Sequence, residues 1–238
     1  MSFLYLVTLG VLFTLFIVTI FFLKKLKNTF LWNIIFISVI FLFYVSVVVT
    51  ALIRNGPNDW NFQNTLLTAN ISPFVFTICP IYLFLPMKIR KYFGALISLL
   101  TVGMILSPSI GCIYCFSISY KYHFFFSLDY ITHFIFALFG IYLIQSKQVE
   151  LNIKNSLIGG SLIIGVCLIM LIINLIADTS FFGLSLRGKH NIYNQVITDN
   201  SYLSALIYFS GLLIVLCVGF LFQKLLQKFI KPMPDNLI

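Results

Sequence analysis

Seven long apolar runs, joined by short polar segments, follow one another along this chain of 238 residues. They cover residues 3–23, 30–53, 65–86, 92–111, 125–145, 156–177 and 202–223, with few or no ionisable groups inside them. About 20 apolar residues in helical form cross a hydrocarbon layer of roughly 30 Å. Period-two alternation is missing and the runs are too long for barrel strands, so helices are the only spanning structure left. Charged residues make up 9% of the chain, too few to cover a water-facing surface. The expected fold class is therefore all-α: a single polytopic transmembrane helix bundle over residues 1–238, with seven spans.

The basic residues orient that bundle. Alternate loops carry Lys24, Lys25 and Lys27, then Lys88, Arg90 and Lys91, then Lys147 and Lys154, then Lys224, Lys228 and Lys231. The opposite loops hold only Arg54, Lys121, Arg187 and Lys189. Eleven of 15 cations on one flank place that flank in the cytoplasm, with the N-terminus outside and the C-terminus inside. A bacterial plasma membrane is the expected location. The net charge of +9 sits at helix ends beside anionic headgroups, so membrane lipid, not nucleic acid, is the expected partner. The first run lacks a basic leader and has an apolar stretch too long for a signal peptide, which makes it a retained helix. No P-loop and no internal repeat of the inverted-transporter kind is present.

Ionisable groups inside a span mark function by default. Asp129 and His133 stand four apart in the fifth run and so share a helix face. A carboxylate there can set the imidazole tautomer and raise its basicity, as a general base or proton relay requires. The third run opens on a polar patch from Asn64 to Pro73 that includes Thr68, Asn70 and Ser72. Pro73 frees a backbone carbonyl, and Pro80 and Pro86 are expected to break the same run again. Such a helix borders a cavity or bonds to a neighbour. With Ser107-Pro108-Ser109, Asn174 and Asp178, this polarity outlines an outward-facing pocket among spans three, four and five. The 178–201 loop is the expected external lid or re-entrant element. Cys112 and Cys115 form a C-x-x-C at the outer end of span four, either an external thiol pair or plain packing. No metal set or cofactor motif is recognised.

The polar patch in span three and the histidine two spans later resemble the YwaF-type integral membrane proteins of low-GC Gram-positive bacteria. That family is similar to eukaryotic membrane proteins that include intramembrane acyltransferases and fatty-acid ester hydrolases. Its Leu-Pro-Leu-His-Leu-Cys pattern aligns with Leu67-Thr68-Ala69-Asn70-Ile71-Ser72, so Asn70 stands at the family histidine and Ser72 at the cysteine. His133 aligns with the later histidine. The resemblance implies a lipid or small amphiphile as ligand, held near Thr68 and Asn70. It also implies acyl transfer or ester hydrolysis with Ser72 as nucleophile and His133, backed by Asp129, as its base. Two alternatives stand beside it: a secondary transporter or channel with a proton or solute path through Asp129 and His133, and a non-catalytic membrane factor.

Overall fold

The structure, a computed structural model, describes residues 2–23, 25–26, 28–57, 71–114, 123–177, 179, 181–184 and 201–229. All regular structure among these residues is helical. In chain order the helices are α1 (Ser2–Leu23), α2 (Thr29–Asn55), α3 (Ile71–Ile78), α4 (Ile81–Phe84), α5 (Met87–Tyr114), α6 (His123–Gln145), α7 (Ile153–Ala177) and α8 (Ser201–Phe229). A 3₁₀ turn, Phe181–Gly183, follows α7. Five stretches are long and apolar enough to cross a membrane: Thr29–Ile53, Met87–Leu106, Leu128–Gln145, Ile153–Ala177 and Ala205–Phe229. Helix α1 is 22 residues long, about 33 Å at 1.5 Å per residue. Large apolar side chains such as Phe22, Leu42, Ile172 and Leu221 face outward. A surface of that kind fits a membrane protein, because lipid accepts what water rejects.

The third apolar run differs from a simple span. Helix α3 ends at Ile78, a turn at Cys79-Pro80 follows, and α4 is a single turn capped by Leu85, whose ψ of 139° is extended. Proline has no N–H to continue a helix and forces its predecessor out of the helical region, which accounts for both breaks. The carbonyls left at the second break are taken up by Arg90. Its Nη2 donates to the Leu83 carbonyl at 2.9 Å and its Nε to the Leu85 carbonyl at 3.1 Å. Its guanidinium also lies 5.7 Å from the Tyr82 ring centroid. Pro73 falls in the first described turn of α3.

The helices also overrun the apolar runs. Lys88, Arg90 and Lys91 lie within the first turns of α5, and Lys224 and Lys228 within the last turns of α8. Hydropathy marks where lipid ends, whereas a helix continues as long as its own hydrogen bonds pay no penalty in water. The start of α2 follows its cap: the Asn28 side chain accepts from the Leu31 N–H at 3.0 Å.

Helix α6 is the hub, packed against α1, α2, α5 and α8. Aromatic side chains fill the seams with α1 and α2 and also meet α3. Phe13 meets Phe134 edge-on at 5.1 Å, Phe36 stacks on Phe139 at 5.6 Å, and Phe76 meets Phe136 at 5.7 Å. Small residues fill the α5 seam. A Cβ at Gly140 would strike Thr101 and the backbone of Ile97 and Ser98. The Ser98 hydroxyl donates to the Gly140 carbonyl at 3.0 Å and to that of Gly94 at 2.9 Å. Gly219 likewise lets α8 lie directly on the Leu99 backbone of α5. Close backbone approach of this kind is how helices associate where lipid supplies no hydrophobic drive.

Candidate functional site

Two places hold the residues singled out by sequence, and they are separate. The first is the Asp129–His133 pair on α6. The imidazole Nδ1 lies 2.8 Å from the Asp129 carbonyl oxygen and 3.4 Å from the Asp129 carboxylate. A carbonyl only accepts, so Nδ1 carries a proton and donates it there. The ring is 3% exposed, and Nε2 has no hydrogen-bond partner. The Phe76 ring stands edge-on against the imidazole, 5.0 Å away at 88°. Spans three and five therefore do pack together, through Phe76. The Asp129 side chain is about a third exposed. One position along, Thr132 donates to its own helix at the Leu128 carbonyl, 2.8 Å away, and takes no part.

The second place is a groove between α3, α5 and α8 of about 330 Å³. Ser72 is its polar wall together with Tyr208, and Leu100, Met104, Leu212 and Val215 supply apolar walls. Gly103 and Gly211 leave room for its floor. Ser72 precedes Phe76 by one turn of α3, yet His133 does not line this groove and its Nε2 does not receive the serine hydroxyl. The two members of the expected dyad are close neighbours of one aromatic side chain without touching each other. Thr68 and Asn70 lie outside the described residues, as do Asp178 and Cys115.

Asn174 carries more than its place at a span end suggested. Its Oδ1 accepts from the Thr179 hydroxyl and the Phe181 N–H, each at 2.8 Å. Its Nδ2 donates to the Phe181 carbonyl at 2.9 Å and to the Leu184 carbonyl. This one amide, 3% exposed, folds the chain after α7 back on itself. It holds Phe182 in the left-handed region (φ 58°) and buries its ring against Phe74, 5.5 Å away. The start of the 178–201 segment thus roofs α3. An asparagine at a helix C-terminus beside Thr and Gly is the signal that points to such a turn.

Among the described residues, no group of three or more His, Cys, Asp or Glu side chains could hold a metal ion. Cys79 and Cys167 are buried thiols and Cys217 is exposed. Compared with protein-family models, curated proteins and solved structures, the chain matches none.

Proposed function

We propose that this chain is a multi-pass protein of the bacterial plasma membrane that holds the apolar tail of a lipid or small amphiphile in the groove beside Ser72. The groove itself carries this reading. It is apolar on most sides, opens between helices, and has the hydroxyl-bearing Ser72 and Tyr208 in its lining. That combination suits a ligand with a long chain and a small polar head. Seven spans, an outer N-terminus and a cytoplasmic C-terminus belong to the same proposal. They rest on α1, the five long apolar helices, the broken third segment and the lysine bias. A YwaF-like protein would have this layout.

Acyl transfer or ester hydrolysis through Ser72 would need a base on its hydroxyl. His133 has an Nε2 without a partner and Asp129 beside its Nδ1, and the neutral ring with its proton on Nδ1 would offer Nε2 as the base. It would have to meet Ser72 in an arrangement other than the present one. Photoactivatable fatty-acyl probes in nanodiscs test the binding step. Crosslinks are expected at Met104 and its neighbours and should vanish in Gly211→Trp, which fills the groove. A serine-reactive lipid-like probe tests the chemistry: labelling at Ser72 that His133→Ala abolishes supports catalysis, and labelling indifferent to His133 removes it. No crosslink in the wild type removes the reading altogether.

A second reading, proton-coupled transport, is favoured by one observation: a buried imidazole with a carboxylate on one side and a bare nitrogen on the other. Proton uptake by proteoliposomes that His133→Phe eliminates would select it. If variants at Ser72, Asp129 and His133 leave the cellular phenotype unchanged, the chain is a non-catalytic membrane factor.

A further inference from the structure

Where α6 ends, a second cavity of about 460 Å³ lies between α6, the connection to α7 and the last turns of α8. It shares no lining residue with the Ser72 groove. Ile141, Ile144, Val149 and Leu226 give it apolar walls. Gln145, Gln223 and Gln227 bring three carboxamides to it, and Lys147 and Glu150 bring one charge of each sign. A volume of this size, mostly apolar with a few convergent polar groups, is the ordinary form of a small-ligand site.

The amides are what make it unusual. Gln223 is fully buried, and its orientation is settled by its neighbours. Its Nε2 donates to the Ser98 carbonyl at 3.2 Å and reaches the Thr101 hydroxyl at 3.1 Å. A backbone carbonyl accepts only, so the nitrogen must sit there and Oε1 must point the other way, where it has no partner. Gln145 is 5% exposed, and both its Oε1 and its Nε2 lack partners. Leaving such groups unpaired forfeits their hydration with nothing in return. Three residues further on, the same chain shows a satisfied amide. Gln148 exchanges hydrogen bonds with Asn33 at 2.6 and 3.2 Å and donates to Ser146 at 2.8 Å. The packing is therefore able to pair an amide in this region, and it leaves the two that border the cavity unpaired.

The turn beside them is held in an unfavourable shape. Lys147 has a φ of 56°, uncommon for a residue with a side chain, fixed by its N–H to the Ile144 carbonyl (3.1 Å) and by Val149 to Leu143 (3.2 Å). This return brings Val149 and Glu150 round to close the cavity.

We propose that this cavity binds an uncharged, hydroxyl-rich group of sugar or polyol type. Gln223 Oε1 needs a donor, and Gln145 needs a donor and an acceptor. A hydroxyl supplies either at a single atom, so adjacent hydroxyls satisfy both amides without a charge. Lys147 and Glu150, the charged residues of its lining, are opposite in sign. The site lies on the lysine-rich flank, where the hydroxyls can arrive on a lipid headgroup or as a free solute.

The test uses the full chain in phosphatidylcholine nanodiscs, away from detergents with sugar headgroups, which would compete. Thermal midpoints are read with glucosyl-diacylglycerol in the bilayer, with free myo-inositol, and with phosphatidylserine as a charged control. A rise of several degrees with the glycolipid alone assigns a headgroup, and a rise with inositol assigns a free polyol. No rise with either, or an equal rise with phosphatidylserine, overturns the proposal. Gln145→Leu removes the unpaired amide at similar volume. It is expected to raise the midpoint of the ligand-free protein and to abolish the ligand-dependent rise. A lower ligand-free midpoint with the ligand response intact would make the amide structural and overturn the site. Should that variant fail to fold, Gln227→Ala at the partly exposed edge should weaken the response and leave the ligand-free midpoint unchanged. An undiminished response in Gln227→Ala also counts against the site.

Discussion

Helices α6 and α7 are built to opposite specifications. Over Leu128–Gln145, α6 is 72% buried and has the lowest mean hydropathy of the five long apolar helices. Within Ile153–Ala177 of α7, 22% of an 18-residue stretch is buried, and its mean hydropathy shares the highest value. Helices α2 and α8 resemble α7, and α5 lies between the extremes. In water the order would run the other way, with the greasiest helix innermost. In a bilayer, lipid tails are as apolar as leucine, so the outer helices carry the hydrophobic load. The inner one is free to carry aromatic edges, a histidine, an aspartate and a glutamine. What holds α6 in place is shape and hydrogen bonding, and what holds α7 is the company of lipid.

The sharpest way to break this contrast is to overfill the α6 seam. Gly140→Leu would push Thr101 and the α5 backbone aside, and a loss of about 3 kcal/mol or more is expected, seen as failure to recover monodisperse protein. Gly165→Leu on α7, where nothing lies within 4 Å, should change stability by no more than about 0.5 kcal/mol. Truncation comes next. Phe139→Ala on α6 removes a wholly buried ring and should cost about 3 kcal/mol in reversible unfolding, whereas Ile172→Ala on the outer face of α7 should be near neutral. Comparable losses at both sites would mean that α7 is covered by protein instead of lipid. Smaller again is Arg90→Ala, which leaves the Leu83 and Leu85 carbonyls unpaired. About 1–2 kcal/mol is expected, with Arg90→Lys recovering only part because one ammonium lacks the two-pronged reach. Smallest is Thr132→Val. Its hydroxyl bonds only to its own helix, so a change within about 0.5 kcal/mol is expected even at the heart of α6.

Some of this was legible in the order of residues and some was not. Apolar run length located the helices, and Pro80 and Pro86 located the two breaks, because both depend on local chemistry alone. The four-residue spacing of Asp129 and His133 correctly foretold their contact for the same reason. The relation of Ser72 to His133 depends on how α3 rotates against α5, α6 and α8, a matter of side-chain fit between segments far apart in the chain. No periodicity in the third run encodes it. Gln145 and Gln223 stand at the ends of apolar runs, where a glutamine looks like a boundary residue. Only the packing of α6 against α8 reveals that both are sealed. The position of Asn174 at a span end is plain in the sequence, whereas its four bonds to Thr179, Phe181 and Leu184 depend on the chain turning back after α7.

Helices α7 and α8 both lie along α5, one through Gly159 against the Tyr92 carbonyl and Leu96 nitrogen, the other through Gly219 against Leu99, yet they barely meet each other. Mechanically, α5 is an axle with two blades. Parting the blades disturbs few contacts, whereas lifting either from the axle would tear backbone from backbone. Lateral pressure in the surrounding leaflet would therefore be felt first as a change in the angle between α7 and α8.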